Sequence, residues 1–243
     1  MVTSITDLRP VVINKQHAGQ IIELVGPAGA GKSTLYTSLG KDFPWIHCTY
    51  SPHVWRLTSA PFYLTNLASI LPIYLRKHKK GENTINRRQL ACLAILNGWH
   101  KILRNMADNS HEVILLDQGP VFLMAFLDMN GPRSLYESQF QNWWNKIYEN
   151  WIHNLDMIVF LDTTNDKLIK RIRNRPTDLL SGMSDEEGEA FLSKYRGVYE
   201  QIITNFSSYD SRTSIVRIDS GELTPEEIVI KVVSEIRPET GNL

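Results

Sequence analysis

Short apolar runs alternate along this chain with longer stretches of helical spacing. Gln20 to Val25 (QIIELV), Glu112 to Leu116 (EVILL), Met157 to Leu161 (MIVFL) and Ser214 to Ile218 (SIVRI) read as strands, with Trp45 to Cys48 a weaker second one. They are short and rich in β-branched residues, as strands buried on both faces of a parallel sheet are. Helix signals fall between them. Thr163 opens a T-x-x-D start into LIKRIRNR, which Pro176 stops. Ser184-Asp185-Glu186-Glu187 is a capping box leading into a helix through Phe206. Thr224-Pro225-Glu226-Glu227 is a second one, with proline at the first helical position. The stretch from His53 to Asp108 predicts mostly helix, with a break around Gly81 to Thr84. A further helical insertion over about 134–152 carries Trp143, Trp144, Tyr148 and Trp151. Aromatics at that density read as core packing, the alternative being a stacking surface for a planar or sugar ligand. The alternation as a whole predicts an α/β fold with a parallel sheet, in a single domain over 1–243.

Composition narrows the function classes. The chain has 243 residues, of which 42% are hydrophobic and 21% charged, enough to bury a large core without disulfides. Lys+Arg and Asp+Glu number 26 each, so the net charge is zero, which argues against a nucleic-acid backbone as the main partner. Two cysteines, Cys48 and Cys92, are too few for a disulfide framework or a Cys-rich metal site, and a reduced, cytoplasmic chain is expected. The most apolar stretch, Ala60 to Leu75, is short and interrupted by Pro61 and Pro72, so it reads as a buried helix and no stable membrane insertion is expected. The run Arg76-Lys77-His78-Lys79-Lys80 directly after it suits a solvated helix end. It also leaves open a weaker reading as a membrane- or nucleic-acid-associated ATPase. The seven histidines show no metal-ligand spacing.

One segment carries explicit chemistry. Gly26-Pro27-Ala28-Gly29-Ala30-Gly31-Lys32-Ser33-Thr34 matches G-x-x-x-x-G-K-[ST] at every required position, between the IIELV strand and the TLYTSLG helix. Glycines allow the backbone to fold so that successive N–H groups point inward and cradle phosphate oxygens. The helix behind adds its positive N-terminal end. In that setting Lys32 reaches the β- and γ-phosphates, and the Ser33 hydroxyl is a ligand for Mg²⁺.

Two further features extend the site. Val113-Ile-Leu-Leu-Asp117 is an apolar strand ending in a carboxylate. In a phosphate-loop protein that strand lies beside the loop strand, so Asp117 faces the Mg²⁺ and phosphates, either organising the ion or accepting a proton from an acceptor hydroxyl. Arg171 and Arg175 are four residues apart, which places them on one helix face, whereas Arg173 points elsewhere. Two guanidiniums beside the polar loop Thr177 to Ser184 suit closure over a triphosphate, where they stabilise charge on the transferring group.

The ordered set GPAGAGKST, VILLDQG, IVFLDTTNDKLIKRIRNRP and IVRIDSGELTPEEI resembles the thymidylate kinase and deoxynucleoside kinase branch of the P-loop small-molecule kinases, over about 20–236. The resemblance implies a three-layer α/β/α P-loop NTPase fold with a five-stranded parallel sheet ordered 2-3-1-4-5. It implies ATP as donor, an acceptor region over about 53–108 and a lid over about 171–184. Lys32 and Ser33 then carry over as phosphate and Mg²⁺ ligands, Arg171 and Arg175 as lid arginines, and Ser220 and Gly221 border the adenine. Thymidylate kinases follow the strand-end aspartate with an arginine that grips the acceptor's phosphate, but here Gln118 and Gly119 stand there. They also carry an arginine about twenty residues upstream, where this chain has Asn97-Gly98-Trp99-His100. Both departures argue against a nucleoside monophosphate acceptor. Gln118 and Asn97 instead suit hydrogen bonds to an uncharged nucleoside, sugar or polyol. Weaker acceptor candidates are Arg88, and His53 and Arg56 after the second strand.

Phosphoryl transfer from Mg·ATP to a small-molecule hydroxyl is therefore the expected function. An ATP-binding switch without such an acceptor is one alternative, and a thymidylate kinase-like monophosphate kinase the other. GTPase elements are absent: neither Asp117-Gln118-Gly119 nor Asn165-Asp166-Lys167 fits the required patterns. The Trp-rich insertion near Trp143 leaves a homodimer face open.

Overall fold

A computed structural model describes residues 19–52, 59–71, 85–110, 112–176, 179–208 and 213–236. His53, Arg56, the break around Gly81 to Thr84 and the basic run Arg76 to Lys80 lie outside them. In chain order the elements are β1 (Gln20–Val25), α1 (Lys32–Asp42), β2 (Ile46–Thr49), α2 (Ala60–Ala68), α3 (Arg87–Ser110) and β3 (Val113–Leu116). There follow α4 (Pro120–Asn130), a 3₁₀ turn (Arg133–Tyr136), α5 (Ser138–Ile152) and β4 (Met157–Asp162). The last are α6 (Asn165–Arg173), α7 (Asp185–Ser208), β5 (Ser214–Asp219) and α8 (Pro225–Ile236).

The five strands form one sheet in the order β2-β3-β1-β4-β5, and every pairing is parallel. This is the order the resemblance implied. Strand residues alternate between two cores. Ile21, Val25, Ile114 and Leu116 face α3, α4, α5 and α7, while Ile22, Leu24, Leu115 and Val159 face α1, α6 and α8. Both faces are covered, so the strands read as continuous apolar runs rather than alternating ones. At the N-terminal edge of the sheet, the Asp156 carboxylate accepts the Ile21 N–H at 2.8 Å and Arg104 Nη2 at 2.9 Å. The opposite edge, where the strands end at Val25, Leu116 and Asp162, is left for the site.

Both capping boxes form as expected. Ser184 and Glu187 bond reciprocally at 2.8 and 3.2 Å, and so do Thr224 and Glu227. The start of α6 differs from the sequence reading: its N-cap is Thr164, one residue later than the T-x-x-D spacing predicts, and it makes no side-chain cap bond. The same helix ends at Arg173, so Arg175 stands just beyond it in the turn leading to Pro176. The tryptophans of α5 pack inward. Trp143, Trp144 and Trp151 are buried, and the indoles of Trp144 and Trp151 donate to the carbonyls of Leu135 and Leu96 at 2.8 Å. They serve the core rather than a stacking surface. No described helix is long and apolar enough to cross a membrane.

Candidate active site

The loop between β1 and α1 has the shape its glycines permit. Gly26, Gly29 and Gly31 all have positive φ, at 141°, 84° and 97°. Gly26 is also pressed against β4: a Cβ there would lie 1.9 Å from the Leu161 carbonyl oxygen. No side chain fits that position without parting the loop from the sheet. Ala30 is buried beneath the loop, and Ser33 and Thr34 are exposed at its mouth. Lys32, at the first turn of α1, folds back so that Nζ donates to the carbonyls of Gly26 (2.7 Å) and Pro27 (2.9 Å).

Asp117 follows directly on β3, which pairs with β1 in the register Glu23↔Leu116. Burial brings the Lys32 ammonium down to about 8, with the positive charge of Arg175 contributing and the Asp117 carboxylate opposing. Burial likewise raises Asp117, and Lys32 opposes that shift. Lys32, Asp117 and Arg175 thus share one electrostatic neighbourhood at the mouth of the loop. A hydroxyl and a carboxylate, Ser33 and Asp117, are the hard oxygen donors that Mg²⁺ takes when it also holds phosphates.

Beside the loop lies a cavity of about 270 Å³. Its lining includes Gly29, Gly31 and Thr34 of the loop and α1, the apolar Leu35, Leu223 and Ile228, and Arg171, Arg175 and Ser220. The lining thus mixes guanidinium and hydroxyl groups with apolar side chains, as small-molecule sites do. The two arginines differ in what they do there. Arg171 Nη1 reaches the Gly29 carbonyl (3.3 Å) and Ser220 Oγ (3.2 Å), while Nη2 donates to the Ser220 carbonyl (2.9 Å). It ties the phosphate loop to the turn after β5. Arg175, beyond the helix end, donates its backbone N–H to the Ile172 carbonyl at 3.0 Å, and its charge reaches Lys32 at the loop mouth. Arg173 points away and pairs with Asp185 at 2.7 Å, as its spacing predicts.

The candidate acceptor residues are scattered. Gln118 is exposed beside Asp117. Asn97 uses its amide to tie α3 to α2, donating to Asn66 Oδ1 and Ser69 Oγ at 3.1 Å. The Arg88 guanidinium lies 4.4 Å over the Phe126 ring. Ser220 is buried on the cavity wall, and the Gly221 carbonyl accepts from Lys167 Nζ at 3.0 Å.

Two elements escape the sequence reading. Arg196 on α7 clamps the end of β4, donating to both carboxylate oxygens of Asp162 and to the Thr163 carbonyl. Glu23, in the middle of β1, is fully buried. Its Oε2 accepts the Val121 N–H and its Oε1 the Phe122 N–H, both at 2.9 Å. The signal was present in the strand itself, because an acid inside a run that must be buried on both faces needs partners.

Burial raises the Glu23 carboxyl to about 8, against the backbone donors that hold it down. The folded pKa lies above the unfolded one, so the folded state binds the extra proton between about pH 4.5 and pH 8. The stability this group supplies is complete below the unfolded pKa and is lost as pH rises through the folded one, at up to about 1.4 kcal/mol per pH unit. Urea unfolding of the wild type and Glu23→Gln at pH 5 and pH 7.5 checks this. The wild type is expected to lose more stability than the variant over that interval; equal losses would contradict the assignment.

The site and sheet define a P-loop nucleoside-triphosphate-binding fold of the five-stranded kinase type. The thymidylate kinase from Candida albicans superposes with a TM-score of 0.51 at 16% identity, covering 90% of this chain and 91% of that one. The deoxyadenosine kinase from M. mycoides with bound dATP gives a TM-score of 0.47 at 18% identity, covering 89% of this chain and 98% of that one. The model of the NB-ARC domain matches residues 4–118. No curated protein sequence matches this chain. The chain has the P-loop kinase fold, as the resemblance of its motifs implied.

Proposed function

We propose that this protein transfers the γ-phosphoryl group of ATP to a hydroxyl of a small acceptor that carries no phosphate, such as a nucleoside, sugar or polyol. One observation carries the reading: Lys32, Asp117 and Arg175 converge at the mouth of a phosphate loop that opens beside a base-sized cavity. The catalysis this arrangement supports is positioning and electrostatics. Loop N–H groups and Lys32 hold the donor phosphates. Arg171 braces the cavity wall, and Arg175 meets the charge on the transferring group. Asp117 accepts the acceptor's proton or orients its hydroxyl. Ser33 and Asp117 would hold Mg²⁺, which neutralises phosphate charge when bound. Free thiols at Cys48 and Cys92 suit a cytoplasmic setting.

The residues at the Asp117 turn support an uncharged acceptor. Among the described residues, Lys32, Arg171 and Arg175 belong to the donor side of the site, Arg104 is fixed at the far edge of the sheet, and the Arg88 guanidinium lies over the Phe126 ring. Beside Asp117 stands Gln118, whose amide hydrogen-bonds neutral groups. ADP release measured with Mg·ATP and separate acceptor pools tests this. Stimulation is expected from nucleosides, sugars or polyols. Stimulation confined to nucleoside monophosphates or sugar phosphates would make the protein a thymidylate kinase-like enzyme instead.

A second reading is favoured by the NB-ARC match over residues 4–118: an ATP-binding switch without a small-molecule acceptor. It is distinguished by hydrolysis that no acceptor pool changes.

A further inference from the structure

We propose that Glu23 is a positioning residue: its carboxyl, buried under the turn Asp117–Gln118–Gly119, fixes that turn against the phosphate-loop strand and thereby aims Asp117 into the site. The proposal rests on the reading of the site as a phosphoryl transferase.

The geometry is specific to these residues. Glu23 is opposite Leu116 in the parallel register, so it lies where β3 gives way to the turn. Helix α4 begins immediately after that turn with no side-chain cap of its own: Gly119 is its N-cap, and Pro120 has no N–H to offer. The free N–H groups of Val121 and Phe122 are satisfied instead from β1, one by each oxygen of Glu23. The Gly119 N–H adds to them. Glu23 thus performs the work of an N-cap from a neighbouring strand, and both ends of the turn are referred to the strand that enters the phosphate loop.

The turn's own sequence is complementary to this carboxyl. A Cβ at position 119 would lie 2.6 Å from Glu23 Cδ and 2.8 Å from its Oε2. The backbone at Gly119 is extended (φ −89°, ψ −160°), so glycine is required by the space Glu23 occupies, not by conformation. The departure of Gln118-Gly119 from the thymidylate kinase pattern therefore has a physical partner in the chain. With Glu23 in place, position 119 has no room for a side chain, so Asp117 and Gln118 carry the turn's side chains.

Glu23→Gln keeps the volume but replaces one acceptor oxygen with an amide nitrogen that cannot accept either N–H in any ionisation state. Gly119→Ala displaces the turn from the opposite side. Two readouts on the intact protein separate positioning from simple support of the fold. The first is kcat and the KM for ATP with the best acceptor pool. The second, independent of turnover, is ATP affinity with Mg²⁺ and with EDTA. Both variants are expected to lower kcat by about ten- to a hundredfold with KM within about twofold, because a buried donor left unpaired displaces the turn. Both are expected to lose the part of the ATP affinity that depends on Mg²⁺ while keeping the affinity in EDTA. Should the wild type phosphorylate nothing while Glu23→Gln still loses the Mg²⁺-dependent part, the kinase reading falls and the positioning role stands. Folded variants matching the wild type in both readouts would overturn the proposal, whatever the wild type's activity.

Discussion

Lys32→Ala is expected to reduce phosphoryl transfer by at least about a hundredfold while leaving the protein folded. The ammonium is held by two carbonyls of its own loop, those of Gly26 and Pro27, so it is already aimed across the space that the donor phosphates would occupy. Burial lowers its pKa to about 8, so near neutral pH it remains largely protonated, and a triphosphate beside it would stabilise that charge further. Removing a preorganised charge that acts on the transferring group costs roughly 3–4 kcal/mol of transition-state stabilisation in comparable sites. Fold stability is expected to change little, because the loop's shape comes from its glycines and its packing on β4 rather than from this side chain. Steady-state turnover together with a thermal melt checks both halves. A variant retaining activity within about tenfold of the wild type would remove Lys32 from the chemistry.

Asp117→Asn is expected to have the second largest effect, about a hundred- to ten-thousandfold on kcat. The amide keeps the size of the side chain but neither accepts a proton nor carries charge toward a cation. Its two candidate roles give different signatures. As a general base, Asp117 must be ionised. Burial raises its pKa above its ordinary value, against the pull of Lys32, so the wild-type rate should climb with pH as the carboxyl ionises, and Asp117→Asn should lose the limb. As an organiser of Mg²⁺, it should instead leave a variant whose residual rate rises when Mg²⁺ is increased well beyond the wild type's requirement. A pH–rate profile and a Mg²⁺ titration of the same variant separate the two. Wild-type activity in Asp117→Asn would place this carboxylate outside the mechanism altogether.

What could be read from the sequence was what lies in contiguous residues. The phosphate-loop motif needs eight neighbouring positions and the capping boxes need four, so each is complete in one segment. Strand existence was equally plain, because parallel strands buried on both faces are unbroken apolar runs. Sheet order is not written in any run of residues and came only from the resemblance. The parts that were missed are the ones made by distant partners. Arg171 reads as a free lid arginine until Ser220, 49 positions away, is seen to receive two of its donors. Arg175 reads as its helical neighbour until α6 ends at Arg173. Asn97 reads as an acceptor ligand until α2 folds over α3 and takes its amide. Glu23 is inconspicuous inside an apolar strand because its partners belong to a helix about a hundred residues later, although an acid in that setting demands partners.

These long-range contacts gather at the carboxyl ends of β1, β3 and β4, where three segments meet. The phosphate loop is tied to the turn after β5 by Arg171 and to the Asp117 turn through Glu23 and β1. The donor side is therefore braced by the protein's own side chains, the condition under which charge placement contributes most to a transition state.

The most direct test is ³¹P NMR of the wild type with Mg·ATP, first alone and then with the acceptor pool that stimulates ADP release most. A new phosphoester resonance, growing as ATP declines and matched by ADP, is the expected result. Inorganic phosphate and ADP as the sole products, at a rate no acceptor alters, would contradict phosphoryl transfer and identify the protein as an ATP-hydrolysing switch.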